Sequence, residues 1–290
     1  TDEFTSKQDN FISILIPAPV IAAQTCDREV VTEYSSTTSR AVIQHDLTSG
    51  SNVYASLSEG FKAGGYATYE CTEPYDPEEV TSLEFGYKGS LGENTSLNAS
   101  LFRYDYTDFQ VLQVVGIQTV TRNAGDATVN GLELEALSNL NDSLSMSYGL
   151  TLLDATYGEF LNTNGLEPQL GQQQLEGKYL NNAPKVSVNL GLNYTTNLSS
   201  GSSLTYRANA AYKSKIYFSE FNEYSQSAYT IVDLNLIWES ADDRMRTRFY
   251  VKNATDEEYI SGYLSSATGG GRFGQWGYPR TAGIEIQRNF

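Results

Sequence analysis

Residues 185–212 read "KVSVNLGLNYTTNLSSGSSLTYRANAAY". Val186, Val188, Leu190, Leu192 and Tyr194 alternate with Ser187, Asn189, Gly191 and Asn193. After the polar turn "NLSSGSS" (197–203) the alternation resumes, with Leu204, Tyr206, Ala208, Ala210 and Tyr212 set against Thr205, Arg207, Asn209 and Ala211. A side-chain period of two belongs to a strand with one apolar and one polar face. Each arm runs about ten residues, where about five or six is usual for a soluble sheet. A tilted strand needs about nine to eleven to cross a bilayer.

The same pattern recurs in "SLEFGYKG" (82–89), "SLSMSYGLTLL" (143–153) and "RMRTRFYVKN" (244–253). Eleven strands are predicted, at 40–47, 52–58, 80–90, 95–106, 127–137, 143–157, 184–196, 203–213, 228–238, 244–254 and 280–290. The strand pattern is weakest at 40–47, and the pattern at 95–106 blurs past Leu101. Tight polar turns at 48–52, 91–95, 139–142, 197–203 and 239–244 take turns with long links at 59–79, around 107–126, 158–183, 214–227 and 254–279. A meander in water has no reason to gather its long links at one end, whereas an outer-membrane barrel does so. Arg207, Asp233, Asn235, Arg246, Arg248 and Glu285 would then project into a lumen, paired or hydrated. In a β-sandwich the same positions would be solvent faces and the apolar ones a core. Strand length and loop asymmetry favour the barrel.

The net charge of −16 argues against a nucleic-acid partner, because phosphate would be repelled. Twenty-one Tyr against 2 Trp suits boundaries between oil and water. No segment approaches the roughly 20 continuous apolar residues of a membrane helix. The longest apolar run, "FISILIPAPVIAA" (11–23), is broken by Pro17 and Pro19 and preceded by Asp2 and Glu3. It reads as an irregular loop with a strand fragment rather than a secretory leader.

Motifs for chemistry are sparse. "GGGRFG" (269–274) satisfies G-x-G-x-x-G, but phosphate cradling needs a strand before it and a helix after it, and neither is predicted. It reads as a loop. The single histidine, His45, has no nucleophile motif near it. "EPYDPEE" (73–79) concentrates acid without the spacing of a calcium loop. No catalytic residue, metal site or cofactor is expected, and the chain does not read as an enzyme.

A resemblance enters at "YASLSEGFKAGGY" (54–66), which looks like the mid-barrel segment of TonB-dependent outer-membrane receptors. It continues in order through "PEEVTSLEFGYKG" (77–89), "LNASLFRYDYTDFQ" (97–110), "RNAGDATVNGLELE" (122–135), "LDATY" (153–157), "LNNAPK" (180–185), "VKNATDEEY" (251–259) and "YPRTAGIEIQRNF" (278–290). The implied fold is an all-β, antiparallel, up-and-down transmembrane barrel, with this chain supplying about the last 11 of 22 strands. Residues 39–290 would form that C-terminal half. Residues 1–38 match poorly and read as loop or non-native sequence. The implied setting is the outer membrane of a Gram-negative bacterium, with outer-membrane lipid around the barrel.

The implied function is import of a scarce nutrient, most often a ferric siderophore, driven by a TonB–ExbB–ExbD complex through a plug region not found here. Ile284, Ile286 and Phe290 resemble the terminal signal read by the barrel-assembly machinery. Candidate ligand residues in the outer loops are Lys62, Tyr66, Tyr69, Tyr263, Arg272, Phe273 and Trp276, since cations suit an anionic chelate and aromatics its rings. Packing of loop against loop is the plainer role for each. A passive porin-type barrel and a soluble secreted β-sandwich adhesin are the competing classes.

On this strand order Cys26 and Cys71 fall in neighbouring outer loops, where a disulfide and two free thiols are both open. The placing of the two loops and the compartment favour the bond. Intact-mass measurement without reductant should find the chain lighter by two hydrogens and blind to alkylating reagent.

Overall fold

The computed structural model describes residues 2–7, 29–48, 50–66, 74–115, 118–266 and 271–290. Its centre is one 11-stranded sheet. The strands are β1 (Arg40–Thr48), β2 (Ser51–Lys62), β3 (Glu78–Leu91), β4 (Thr95–Thr107), β5 (Ala127–Asn141), β6 (Leu144–Tyr157), β7 (Val186–Asn197), β8 (Ser203–Lys213), β9 (Tyr229–Glu239), β10 (Met245–Lys252) and β11 (Thr281–Arg288). Each pairs antiparallel with its neighbours in sequence, and β1 and β11 are the two edges. All eleven predicted strands are present, including the two with weak patterns. β2 and β5 run four residues past their predicted ends, to Lys62 and Asn141.

The connections fall into two classes by end. The short turns after β1, β3, β5, β7 and β9 lie at one end, and the long links after β2, β4, β6, β8 and β10 lie at the other. The β9–β10 turn shows how sequence makes the sharp end. Asp242 accepts from the Ser240 hydroxyl at 2.6 Å and from the Arg244 amide at 3.3 Å. The Ser240 oxygen takes the Met245 amide at 2.9 Å, and Asp243 adopts φ 55°. Short polar side chains thus supply the acceptors that a two-strand turn leaves open.

Register turns the alternation into two different surfaces. One row runs Ile43–Ala55–Phe85–Leu101–Leu132–Leu152–Val186 across seven strands. Another runs Leu144–Tyr194–Tyr206–Leu236–Phe249–Ile284 across six. Among the described residues no second sheet covers them. Leu190 and Phe249 are each 45% exposed and Ile284 is 63% exposed. Toward the long-link end the same face turns polar, with an Arg103–Asp105 ion pair at 2.7 Å and Asn130 beside Asp154. That is the profile of a wall crossing hydrocarbon and ending at an interface.

The opposite face is polar and internally paired. Arg248 meets Glu285 at 3.4 Å, Arg246 meets Glu239 at 3.5 Å, and Arg207 donates to Asn193 at 2.8 Å. Asp233 accepts the Asn253 amide at 2.8 Å. Of the positions expected inside, Arg207, Asp233, Arg246, Arg248 and Glu285 are therefore paired. Three rings on this face lie flat over a glycine directly opposite: Tyr54 over Gly86, Phe102 over Gly131 and Tyr250 over Gly283. A Cβ on Gly131 would stand 2.2 Å from the Phe102 ring, so the missing side chain makes room for the ring.

Among the described residues the hydrophobic cluster gathers at the long-link end, where Tyr157, the last residue of β6, meets the links. Ala124, Tyr157, Phe160, Leu175 and Phe221 cluster together, with Phe109, Val111 and Leu180 against them. All come from the long-link end. A wall in lipid needs no core of its own, but long links outside it do.

The two faces make opposite demands on a charge. Leu190→Arg should cost about 2–4 kcal/mol if Leu190 faces hydrocarbon, while Asn189→Arg one position along should cost under about 1 kcal/mol. Denaturant unfolding of the two variants in lipid measures the difference.

Candidate functional site

The long links are built, not loose. Gln110–Val115 pairs with Gln118–Asn123, Leu161–Thr163 with Gln172–Gln174, Ile216–Tyr217 with Ser225–Gln226, and Ile260–Ser266 with Gly271–Trp276. A further pair, Asp2–Lys7 with Glu29–Tyr34, lies ahead of β1. None of these was expected. The correction is clearest at "GGGRFG", whose part from Gly271 onward is a hairpin arm following a strand rather than a loop. A strand therefore precedes the motif, against expectation, and the arm leads into β11 and not into a helix.

The links after β6 and β8 clasp each other. Asn162 donates to Glu220 at 3.1 Å and Asn164 to Glu223 at 3.0 Å. Lys178 donates to the Phe221 carbonyl at 2.8 Å. Asn222, at φ 55°, accepts the Tyr179 amide at 2.8 Å and returns a bond to the Tyr179 carbonyl at 2.9 Å. Phe221 then inserts beside Phe160 and the fully buried Leu175. Side chain, backbone and core thus lock two links into one platform.

The Ile260–Trp276 hairpin leans on that platform. The Tyr263 ring lies between Phe218 and Tyr224, 5.5 Å from each and nearly parallel to both. The Arg272 guanidinium sits 4.0 Å over Tyr224 and reaches Glu167 at 3.9 Å. Gln226 accepts the Ile260 amide at 2.8 Å. Burial pushes the Tyr263 phenol above its usual value, and the Arg272 cation works against it. The expected residues Tyr263 and Arg272 are therefore brought together. Phe273 and Trp276 project from the same hairpin, 54% and 65% exposed.

The other expected residues sit elsewhere. Lys62 ends β2 and faces Glu78 at 3.9 Å, while Glu78 also accepts the Gln110 amide at 2.7 Å. Tyr66 follows the Gly65–Tyr75 bridge. Among the described residues, no hydrogen bond, ion pair or ring contact joins Lys62 or Tyr66 to Tyr263 or Arg272. Tyr69, Cys26 and Cys71 lie outside the described residues. Phe218, Tyr224 and Glu167 escaped sequence reasoning; the aromatic density of "IYFSEFNEY" (216–224) was the available signal. His45 stands opposite Val53 on edge strand β1. Among the described residues no group of three or more His, Cys, Asp or Glu is arranged for a metal.

A lipid-facing antiparallel wall with tight turns at one end and structured links at the other defines an outer-membrane barrel protein. Residues 19–254 match the family described as TonB dependent receptor-like, beta-barrel, and the chain belongs to that family of outer-membrane receptors. The pesticin receptor of Yersinia enterocolitica is 26% identical over 250 residues, covering 84% of this chain and 34% of the relative. The ferrioxamine B receptor of Salmonella typhimurium is 23% identical over 226 residues, covering 77% and 30%. In fold, the crystal structure of the ferric yersiniabactin uptake receptor from Yersinia pestis overlays with a TM-score of 0.77 at 22% identity, over 93% of this chain and 40% of that one. The siderophore receptor of Acinetobacter baumannii overlays at 0.70 and 20% identity, over 92% and 37%. The chain thus spans about a third of the length of the curated relatives it matches.

The platform should respond to pH through Glu220. Burial raises its carboxyl above the usual 4.5, aided by the field of Glu223, while hydrogen bonds from Asn181 and its own backbone pull it down. A folded value above the unfolded one means the folded platform holds the extra proton between the two. The clasp is then most stable near and below pH 4.5 and weakens as pH rises through the raised value. Amide protection factors in residues 158–183 and 214–227, corrected for the intrinsic pH dependence of exchange, should be higher at mildly acidic pH than at neutral pH. Glu220→Gln should remove most of that difference.

Proposed function

We propose that this protein forms the ligand-facing and membrane-embedded part of a receptor that imports a ferric siderophore across the outer membrane. The observation that carries the reading is the hairpin on the clasped platform, with Arg272 held beside a three-ring stack and with Phe273 and Trp276 exposed next to it. A fixed cation suits the anionic oxygen donors of an iron chelate, and exposed rings suit its aromatic or acyl parts. The names of the relatives point the same way. Lys62 and Tyr66 would belong to a second, separate contact on the link between β2 and β3. No bond is broken in this reading, so the protein works as a carrier and not as an enzyme.

Two partners follow from the family. Force would come from the TonB–ExbB–ExbD complex acting on a plug, and folding would use the barrel-assembly machinery. Ile284 and Ile286 lie on the apolar face, and Phe290 is fully exposed with Arg288 5.3 Å over its ring. They form an unobstructed terminal strand edge such machinery could grip. Residues 39–290 would be the barrel half and residues 1–38 loop or non-native sequence ahead of it; the Tyr34 hydroxyl donates to the Tyr75 carbonyl at 3.1 Å.

Tryptophan fluorescence tests the reading. Membrane-extracted protein titrated with ferrioxamine B and ferric yersiniabactin should show saturable quenching at Trp276 for at least one of them. Arg272→Ala should weaken that binding roughly tenfold, the worth of one desolvated cation contact. Absence of quenching, together with solute leakage through reconstituted protein, would favour the porin-type alternative.

A further inference from the structure

We propose that the outer face carries a binding site for the phosphate headgroup of an outer-leaflet glycolipid, formed by Lys185 and Lys215 on the stacked pair Tyr179 and Tyr217. The site is independent of the imported ligand and lies on the opposite face of the wall from the lumen.

Register fixes the side on which it lies. Leu152 belongs to the exposed apolar row, and Thr156 four residues on has the same parity. Thr156 bridges Tyr179, so Tyr179 also faces outward. The rings of Tyr179 and Tyr217 stack at 6.0 Å and 8°. Lys185 stands 4.1 Å over the Tyr179 ring and donates to its hydroxyl, and Lys215 stands 4.4 Å over the Tyr217 ring. Two cations therefore sit on a stacked ring pair that orders both of them.

Height fixes the zone. Lys185 immediately precedes Val186, which pairs with Leu152 in the apolar row. The ammonium groups thus stand just beyond the last apolar position, on the side of the long links. This is where a headgroup meets the acyl region in the outer leaflet.

Charge selects the ligand. The chain carries −16 overall, yet neither lysine is in an ion pair among the described residues. Asp154 is the carboxylate whose field reaches Lys185. Aromatic rings hold these cations without neutralising them, which leaves both available to an anion. The apolar row beneath supplies the surface that an acyl chain would cover, so a phosphorylated lipid fits both parts where free phosphate fits one.

Native mass spectrometry of the full chain in mild detergent tests this, with bisphosphorylated lipid A as probe. The wild type should retain lipid A, and the dephosphorylated form should bind much more weakly. Each Lys beside an anionic lipid surface contributes about fivefold, so Lys185→Gln with Lys215→Gln should weaken binding roughly thirtyfold. Arg at both positions should restore it. Asp154→Asn alone should strengthen it severalfold, a reading that does not depend on the double variant assembling. Millimolar inorganic phosphate should fail to displace the lipid. Equal lipid A retention by the wild type and the double Gln variant, no change in Asp154→Asn, or displacement by inorganic phosphate would each overturn the proposal. Quenching at Trp276 by an iron chelate should be unaffected by all these variants, which separates failure here from failure of the import reading.

Discussion

The structure depends on one constraint: in hydrocarbon a backbone amide has no water to fall back on. An unpaired amide or carbonyl there costs several kcal/mol, so every strand must be paired along its whole membrane length. The ladder from β1 to β11 meets this for every strand except at its two edges. Strand lengths, the period of two and the removal of irregular backbone to the ends all follow. So does the unusual place of the core. The wall gains its apolar burial from lipid, and the packed cluster of Phe160, Leu175 and Phe221 is needed only where the chain leaves lipid and must fold in water.

The inner face answers to a different demand. It is wet, so charge is tolerated there, but a twisted wall leaves little space between opposed side chains. Pairing Tyr54, Phe102 and Tyr250 with Gly86, Gly131 and Gly283 lets each ring lie along the sheet instead of standing off it. The rings cover backbone that glycine leaves bare. The ion pairs of Arg246 and Arg248 with Glu239 and Glu285 then hold the last strands together from the inside, while Phe249 and Ile284 serve lipid from the outside.

Much of this was legible in the sequence, because a barrel strand writes its environment residue by residue. Leu190 and Asn189 differ in face because they differ in parity, and no tertiary information is needed to see it. The strand at 40–47 has the weakest pattern because Gln44, His45 and Asp46 dilute its alternation. The site was less legible. Tyr263 and Arg272 were singled out from residue type alone, but Phe218, Tyr224 and Glu167 reach them from two other links. Such contacts depend on how links dock, which no local period encodes. Short hairpins such as Gln110–Val115 with Gln118–Asn123 escaped for a related reason: a few alternating residues inside a link resemble any polar connection.

The free edges carry a last geometric consequence. With eleven strands in strict alternation, β1 and β11 run in the same direction. Closing such a wall by antiparallel pairing alone requires an odd number of further strands between them. A second copy of this sheet has an odd number, but inserted in the same orientation its β1 would run parallel to the β11 it met. Inverting the copy would restore antiparallel seams only by sending its long, charged links through the membrane to the wrong side. Self-closure is therefore disfavoured at both seams. Strands that close the wall must begin in the direction opposite to β11 and carry their own long links on the same side as these. That requirement points to a different sequence built on the same alternation, not to a repeat of this one.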